Sequence, residues 1–180
     1  MRILLDGWSE PNVHFTLTQN NELTMDNELT MGVDYYTSPL GVLRLVTNNS
    51  ALTQLSLCQK PANDSCPDAI TQKTCQQLDE YFAKKRTEFD IPVQLNGTMF
   101  QQELWKNLQA IPYGHTTSYK NLASSINRPK AYRAVGTACG RNPVPIIVPC
   151  HRVIGSDKKL TGFALGLDKK QLLLQLEEVI

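Results

Sequence analysis

Cys150, His151 and Arg152 follow a stretch that cannot be helical, Asn142-Pro143-Val144-Pro145-Ile146-Ile147-Val148-Pro149. Its prolines lack the donor N–H and push the residues before them toward extended conformations. The apolar side chains between them indicate a rigid, buried approach to the cysteine. A free cysteine is usually a small, inert hydrophobe. Here His151 offers a base one residue away and Arg152 a permanent cation. A thiol of ordinary pKa, ~8.5, is only a few per cent thiolate at neutral pH, and a neighbour that favours the charged form removes most of that penalty. Cys150 is therefore expected to be an ionised nucleophile. Cys139 falls on the apolar side of a helical pattern without such neighbours and reads as packing.

The other thiols, Cys58, Cys66 and Cys75, complete an odd set of five with no C-x-x-C pair, and His14, His115 and His151 lack metal-ligand spacing. Reduced thiols, no metal and no cofactor are expected. No run approaches the ~20 apolar residues of a membrane span, and the first ten residues lack a secretory pattern, which points to the cytoplasm.

The net charge of +1 hides an uneven distribution. From Lys120 to Lys159 there are eight basic residues against Asp157 alone, a balance of +7, leaving 10 basic and 16 acidic residues, −6, elsewhere. A basic segment joined to an acidic remainder fits a face that binds a polyanion, because phosphate neutralisation supplies most nonspecific nucleic-acid affinity. An ordinary solvated surface is the alternative for any single charge run.

Several elements must position this segment. With 180 residues and 41% hydrophobic content the chain can bury one core or two small ones. Residues 1–33 are polar and acidic, and repeat Asn21-Glu22-Leu23-Thr24-Met25 as Asn27-Glu28-Leu29-Thr30-Met31; they read as an extension. A hairpin is expected from Gly41–Val46 and Ala51–Leu57 around Asn48-Asn49-Ser50. A helix carrying Ile70, Leu78, Tyr81 and Phe82 follows, with Lys84-Lys85-Arg86 suited to its C-terminus, and a strand from Phe89 to Leu95 would close an α/β unit over residues 34–96.

The remaining segment, 97–180, changes character. Thr98 and Gln101 form a capping box ahead of the face Phe100, Leu104, Leu108 and Ile111. Ser118 can cap a short helix through Ile126 with Leu122, Ala123 and Ile126 on one side. After Asn127-Arg128-Pro129 a second helix is expected from Lys130 to Cys139, with Ala131, Ala134, Val135 and Ala138 as its apolar stripe and Gly140 as its stop. Two short helices around a tight turn, the second rich in small residues, fit a helix-turn-helix; an ordinary αα-hairpin is the alternative without the charge cluster.

Pro149-Cys150-His151-Arg152-Val153, preceded by Asn142-Pro143 and followed by Thr161-Gly162-Phe163, resembles the active-site signature of the O6-alkylguanine-DNA alkyltransferases. The similarity runs through Ser38-Pro39-Leu40-Gly41, Phe100-Gln101-Gln102-Glu103-Leu104-Trp105, Pro112-Tyr113-Gly114, Ser118-Tyr119 and Ala131-Tyr132-Arg133-Ala134-Val135-Gly136, covering nearly everything after residue 33. It implies a ribonuclease H-like α/β domain followed by an all-α, winged-helix-like domain with a helix-turn-helix. It also implies a monomer that repairs double-stranded DNA, moving an alkyl group from guanine O6, and from O4-alkylthymine, to its own cysteine.

The resemblance further implies residue roles. Cys150 would accept the alkyl group, while His151 works through water and draws the thiol proton toward Glu177. Asn142 would order the cysteine loop, and Tyr119 would press on the target nucleotide and offer its phenol to the leaving guanine. Arg133 would fill the gap left by the extruded base, with Ala131, Ala134 and Gly136 in the minor groove and Lys120, Arg128 and Ser156 on phosphates. Pro145, Val153, Phe163, Ala164 and Leu165 would form the alkylguanine pocket. A thioether offers water no activated carbonyl, so each molecule is expected to react once. Leu165 stands where the family commonly has glycine and Phe163 where it often has tyrosine, so a narrower, more apolar pocket is expected; Met99, where relatives often have proline, has no reading. A noncatalytic lesion sensor and a cysteine hydrolase are the competing functions, the first disfavoured by a cysteine at 150 and the second by the lack of any announced oxyanion donors.

Overall fold

The computed structural model describes residues 31–180 in full and, before them, the backbone of two three-residue antiparallel strands, β1 (Phe15–Leu17) and β2 (Leu23–Met25). The extension expected over residues 1–33 lies otherwise outside the described residues up to residue 30, and its last residue, Val33, is buried at the start of the next strand. Residues 31–180 form one compact unit.

That unit begins with a three-stranded antiparallel meander: β3 (Val33–Ser38), β4 (Gly41–Asn48) and β5 (Ala51–Cys58) in the order β3-β4-β5. The expected hairpin is present, and its turn is held by Asn48 Oδ1, which accepts from the Ser50 and Ala51 amides. Alternation along β4 sends Leu43 and Leu45 into the core, and a register shift in β5 opposite Val46 and Thr47 lets both Leu52 and Leu55 join them, where α1 (Ala69–Phe82) meets them with Leu78 and Tyr81. A reciprocal cap starts α1: Asp68 accepts from the Thr71 amide and the Thr71 hydroxyl accepts from that of Asp68.

Two expectations fail here. The basic triplet does not sit in the last turn of α1; the helix ends at Phe82, Lys84 has a φ of 58° and pairs with Glu178, and Arg86 pairs back to Glu80. Nor is Phe89–Leu95 a strand. It makes one parallel bridge, Leu52 to Val93, through Leu52 N to Pro92 O and Gln94 N to Leu52 O. Pro92 accepts there but has no N–H to extend a ladder.

Four helices build the second half: α2 (Met99–Gln109), α3 (Tyr119–Ser125), α4 (Tyr132–Gly140) and α5 (Leu167–Leu176). Both predicted caps are made, Thr98 with Gln101 on α2 and Ser118 with the Asn121 amide on α3. Leu122, Ala123 and Ile126 are buried as expected. The helix after the turn starts at Tyr132 rather than Lys130, with Gly140 its last residue rather than its stop. Its buried stripe is Val135, Ala138 and Cys139, while Ala134 is exposed and Ala131 half-buried. The Trp105 indole donates to Ala138 O at 2.9 Å and fixes α2 against α4.

The second half is not all-α. Thr117–Ser118 (β6) pairs in parallel with Val153–Ile154 (β7), tying the start of α3 to the chain just past Cys150. A single core runs from Leu43 on the sheet to Leu173 on α5.

Candidate functional site

The approach to Cys150 is stapled by one side chain. Asn142, 6% exposed, donates from Nδ2 to Val148 O at 2.7 Å and to Cys150 Sγ at 3.2 Å, and its Oδ1 accepts from the Val144 amide at 3.0 Å. Asparagine has two donor hydrogens and an acceptor for these three bonds, whereas a hydroxyl, with one donor hydrogen, could not serve both Val148 O and the sulfur. The Leu55 amide donates to Pro143 O and anchors the loop on β5. Within it Ile146 has a φ of 77° and is 1% exposed. A β-branched residue in this left-handed region is strained, so the surrounding packing must hold it there.

Cys150, His151 and Arg152 form one 3-10 turn and all three are buried. The expected ionisation of the thiol is not found. Burial pushes it up to about 11, against the opposing pull of the Asn142 amide and the Lys170 ammonium. Arg152 does not serve the sulfur: its Nε and Nη2 donate to Glu177 at 2.9 Å each, and Nη1 donates to Ile111 O at 2.6 Å. It therefore leaves the exposed basic set counted from the sequence.

Glu177 caps the C-terminal end of α5 and is 1% exposed. Burial alone would raise its pKa, but hydrogen bonds and charge from His151 and Arg152 outweigh this and hold it down at about 2. An ionised carboxylate only accepts, so the 2.9 Å contact with His151 Nε2 makes that nitrogen the donor. Burial lowers the His151 pKa, and the ring is neutral with its lone pair on Nδ1. Among the described residues, that Nδ1 is the buried side-chain polar atom with no hydrogen-bond partner. A base with a free lone pair thus follows directly after a protonated nucleophile.

Sequence reasoning missed Lys170. It is fully buried on α5, with Nζ donating to Val153 O at 2.6 Å, Thr161 O at 2.7 Å and Gly162 O at 3.2 Å. Burial brings its pKa down to about 8. It lies three, four and seven residues before Leu173, Leu174 and Glu177, on the same helical face, and that spacing was the available signal.

The Tyr119 hydroxyl donates to Thr161 O at 2.8 Å, and burial raises its pKa. A Cβ on Gly136 would meet the Tyr119 ring at 3.8 Å, an ordinary contact, so the protein's own packing does not demand a glycine there. Lys120 and Ser156 share a hollow of about 380 Å³ with Tyr119 and Tyr132. Arg133 is exposed, its guanidinium 5.7 Å from the Tyr132 ring centroid. Arg128 stands apart, 3.7 Å from Glu103.

Of the expected pocket residues, Pro145, Ala164 and Leu165 line a groove of about 610 Å³ with Asn142 and the outer residues of β5. Val153 and Phe163 are not part of it. Val153 is fully buried and the Phe163 ring stands edge-on to His151 at 6.3 Å. No group of three or more His, Cys, Asp or Glu that could hold a metal occurs among the described residues, and none of their helices is long and apolar enough to cross a membrane.

Comparison with known proteins matches residues 31–95 to the 6-O-methylguanine DNA methyltransferase ribonuclease-like domain and residues 99–179 to that family's DNA-binding domain. The chain is 47% identical over 154 residues to a methylated-DNA–protein-cysteine methyltransferase of Methanosarcina barkeri, covering 82% of this chain and 98% of the other. One from Mycobacterium bovis is 47% identical over 146 residues, covering 78% and 88%. A crystal structure of Mycobacterium tuberculosis OGT in complex with DNA is similar with a TM-score of 0.74 at 45% identity, over 82% of this chain and 92% of that one.

Proposed function

The chain belongs to the 6-O-methylguanine DNA methyltransferase family, and from that premise we propose that Cys150 is the cysteine that takes the alkyl group. The protein repairs DNA by direct reversal, transferring an alkyl group from the damaged base to a cysteine. One observation carries the assignment to Cys150: the unpartnered Nδ1 lone pair of neutral His151, in the same turn as a buried thiol.

The thiol proton passes through water to His151 Nδ1 as sulfur attacks the carbon bound to guanine O6. The sulfur–carbon bond forms, the carbon–oxygen bond breaks, and the electron pair leaves with guanine. Glu177 stays ionised and faces the new imidazolium, so the proton stops on the histidine. Lys170 supports the negative charge that develops on sulfur. Tyr119 offers its phenol O–H to the departing base, exchanging its bond to Thr161 O for one to the nucleobase, and the guanine anion takes its proton from solvent.

Sulfur lies too deep to reach a stacked base, so the guanine is flipped out, at a cost of a few kcal/mol. Arg133 fills the space left behind, and α4 lies in the minor groove with exposed Ala134, Ala131 and Gly136 toward it. Lys120, Arg128 and Ser156 contact phosphates; Arg128 first releases Glu103. Pro145, Ala164 and Leu165 border the lesion, with Val153 and Phe163 behind them against the cysteine turn and His151, and O4-alkylthymine presents sulfur with the same displacement. We read residues 34–96 as a ribonuclease H-like domain and 97–180 as a winged-helix-like domain with a helix-turn-helix, acting as a cytoplasmic monomer after an extension over 1–33.

The test is to incubate the protein with duplex DNA containing O6-methylguanine and measure its mass. Gain of one methyl per chain, absent in Cys150→Ala, is expected. Binding without mass gain would mean a lesion sensor, and product in molar excess over protein a hydrolase; either rejects the assignment.

A further inference from the structure

The Glu177 carboxylate has a partner that no part of the mechanism above uses. Tyr81 donates its hydroxyl to Glu177 Oε1 at 2.7 Å, across 96 residues of sequence, and is itself 0% exposed. Oε1 also accepts from His151 Nε2 and Arg152 Nη2, both at 2.9 Å, while Oε2 accepts from Arg152 Nε at 2.9 Å and, more distantly, the Gly114 amide at 3.4 Å. The oxygen that holds the histidine is thus the one the tyrosine holds.

Tyr81 is carried by α1, against the sheet, and not by the segment that contains the cysteine. Its ring is gripped on several sides: Phe82 edge-on at 5.3 Å, Phe89 at 5.2 Å and Tyr113 edge-on at 6.1 Å. With its ring so fixed the hydroxyl has one direction to point. Packing alone needs only a phenylalanine here, yet the buried position carries a hydroxyl that ends on the relay. Burial and the adjoining carboxylate raise the phenol pKa, which keeps it a neutral donor.

We propose that Tyr81 is a positioning residue for alkyl transfer: its hydroxyl orients the Glu177 oxygen that orients His151 and drains part of its charge, so α1 and the sheet domain complete the proton relay. The inference rests on His151 being the base. Two donors besides His151 share the negative charge of Oε1. Remove one, and the carboxylate attracts the imidazolium more strongly, which raises the proton affinity of His151 and leaves less of it as free base at low pH. The titratable and charged groups facing this centre are His151, Arg152, Tyr81 and Tyr113, and the Lys170 charge also acts on the imidazole.

The experiment is single-turnover methyl transfer from O6-methylguanine duplex by the full chain, measured against pH. Tyr81→Phe keeps the ring and leaves Oε1 two donors. Its acid limb is expected to move upward by about half a pH unit, roughly a threefold change in proton affinity, with DNA affinity unchanged. 3-Fluorotyrosine at position 81 strengthens the donor without deleting it and is expected to move the limb down, which keeps the test open if Tyr81→Phe folds poorly. Ile70→Val trims the packing of the same helix and leaves Tyr81 and its ring contacts in place; its limb should coincide with that of the unmodified protein. A limb that stays fixed in both Tyr81 variants, or that moves equally in Ile70→Val, overturns the proposal. His151→Gln separates the two readings: if it retains rate and limb, the base assignment fails, whereas if it loses them while Tyr81 variants do not respond, only the role of Tyr81 fails.

Discussion

Opposing influences act on the Cys150 thiol: burial raises it to about 11, and the Asn142 amide and Lys170 ammonium restrain the rise. A resting thiol and a neutral, buried His151 make the reaction one of assisted deprotonation, which fixes its pH response. The His151 pKa lies below its ordinary value, so base is present at neutral pH and is lost only as pH falls through that lowered value. The expected profile is level around neutrality, has its acid limb below the ~6.5 of an ordinary histidine, and falls on the alkaline side through about 8 as Lys170 loses its charge. Thiolate absorbance of Cys150, read as the difference from Cys150→Ala, should have its midpoint near 11. A midpoint at the ~8.5 of free cysteine, or a rate that climbs through it, would contradict this. Lys170→Met keeps the stem and removes the cation. Without the ammonium the developing sulfur charge has no buried counterion, and the transfer rate should fall at least about tenfold in a protein that stays folded by circular dichroism.

Local rules were most readable where a side chain closes its own helix. Thr98 and Gln101 are the plainest case, each meeting the other's backbone amide. Thr98→Ala should cost about 1 kcal/mol in urea unfolding and leave methyl transfer unchanged, since the cap touches no part of the site. The hairpin at Asn48 and the cap at Ser118 were equally legible, because their partners lie within a few residues, whereas the Asn142 staple came only from the family resemblance. Where partners are distant, the pattern was silent or misleading. Ala131 caps α4 with no side-chain bond, so nothing local marked the helix start at Tyr132. Phe89–Leu95 looked like a strand because its alternation is real, yet Pro92 cannot donate. Lys170 has only its helical spacing to mark it, and Arg152 reads as a cation beside the thiol; only tertiary contacts show three carbonyls waiting for the one and a carboxylate for the other. The Tyr81 to Glu177 bond, spanning most of the described chain, has no short-range signature.

At the scale of the whole molecule, the basic segment loses Arg152 to the interior but keeps Lys120, Lys130, Arg133, Arg141, Lys158 and Lys159 largely exposed. Binding to undamaged duplex should therefore weaken steeply with salt. Lys120→Ala should lower the slope of log affinity against log salt by about 1, uniformly across sequences; an unchanged slope would remove Lys120 from the phosphate contacts. The core that joins the sheet to α5 carries a further consequence through Ile146. Its left-handed backbone is tolerable only while neighbouring side chains clamp it, and the peptide that seats Cys150 begins there. A chain still emerging from the ribosome, or one frayed by heat, has no such clamp, so its sulfur is an ordinary thiol without an aligned histidine. For a molecule that works once, this acts as a safety catch: the reagent is armed only on completion of the fold, and immature copies are not consumed.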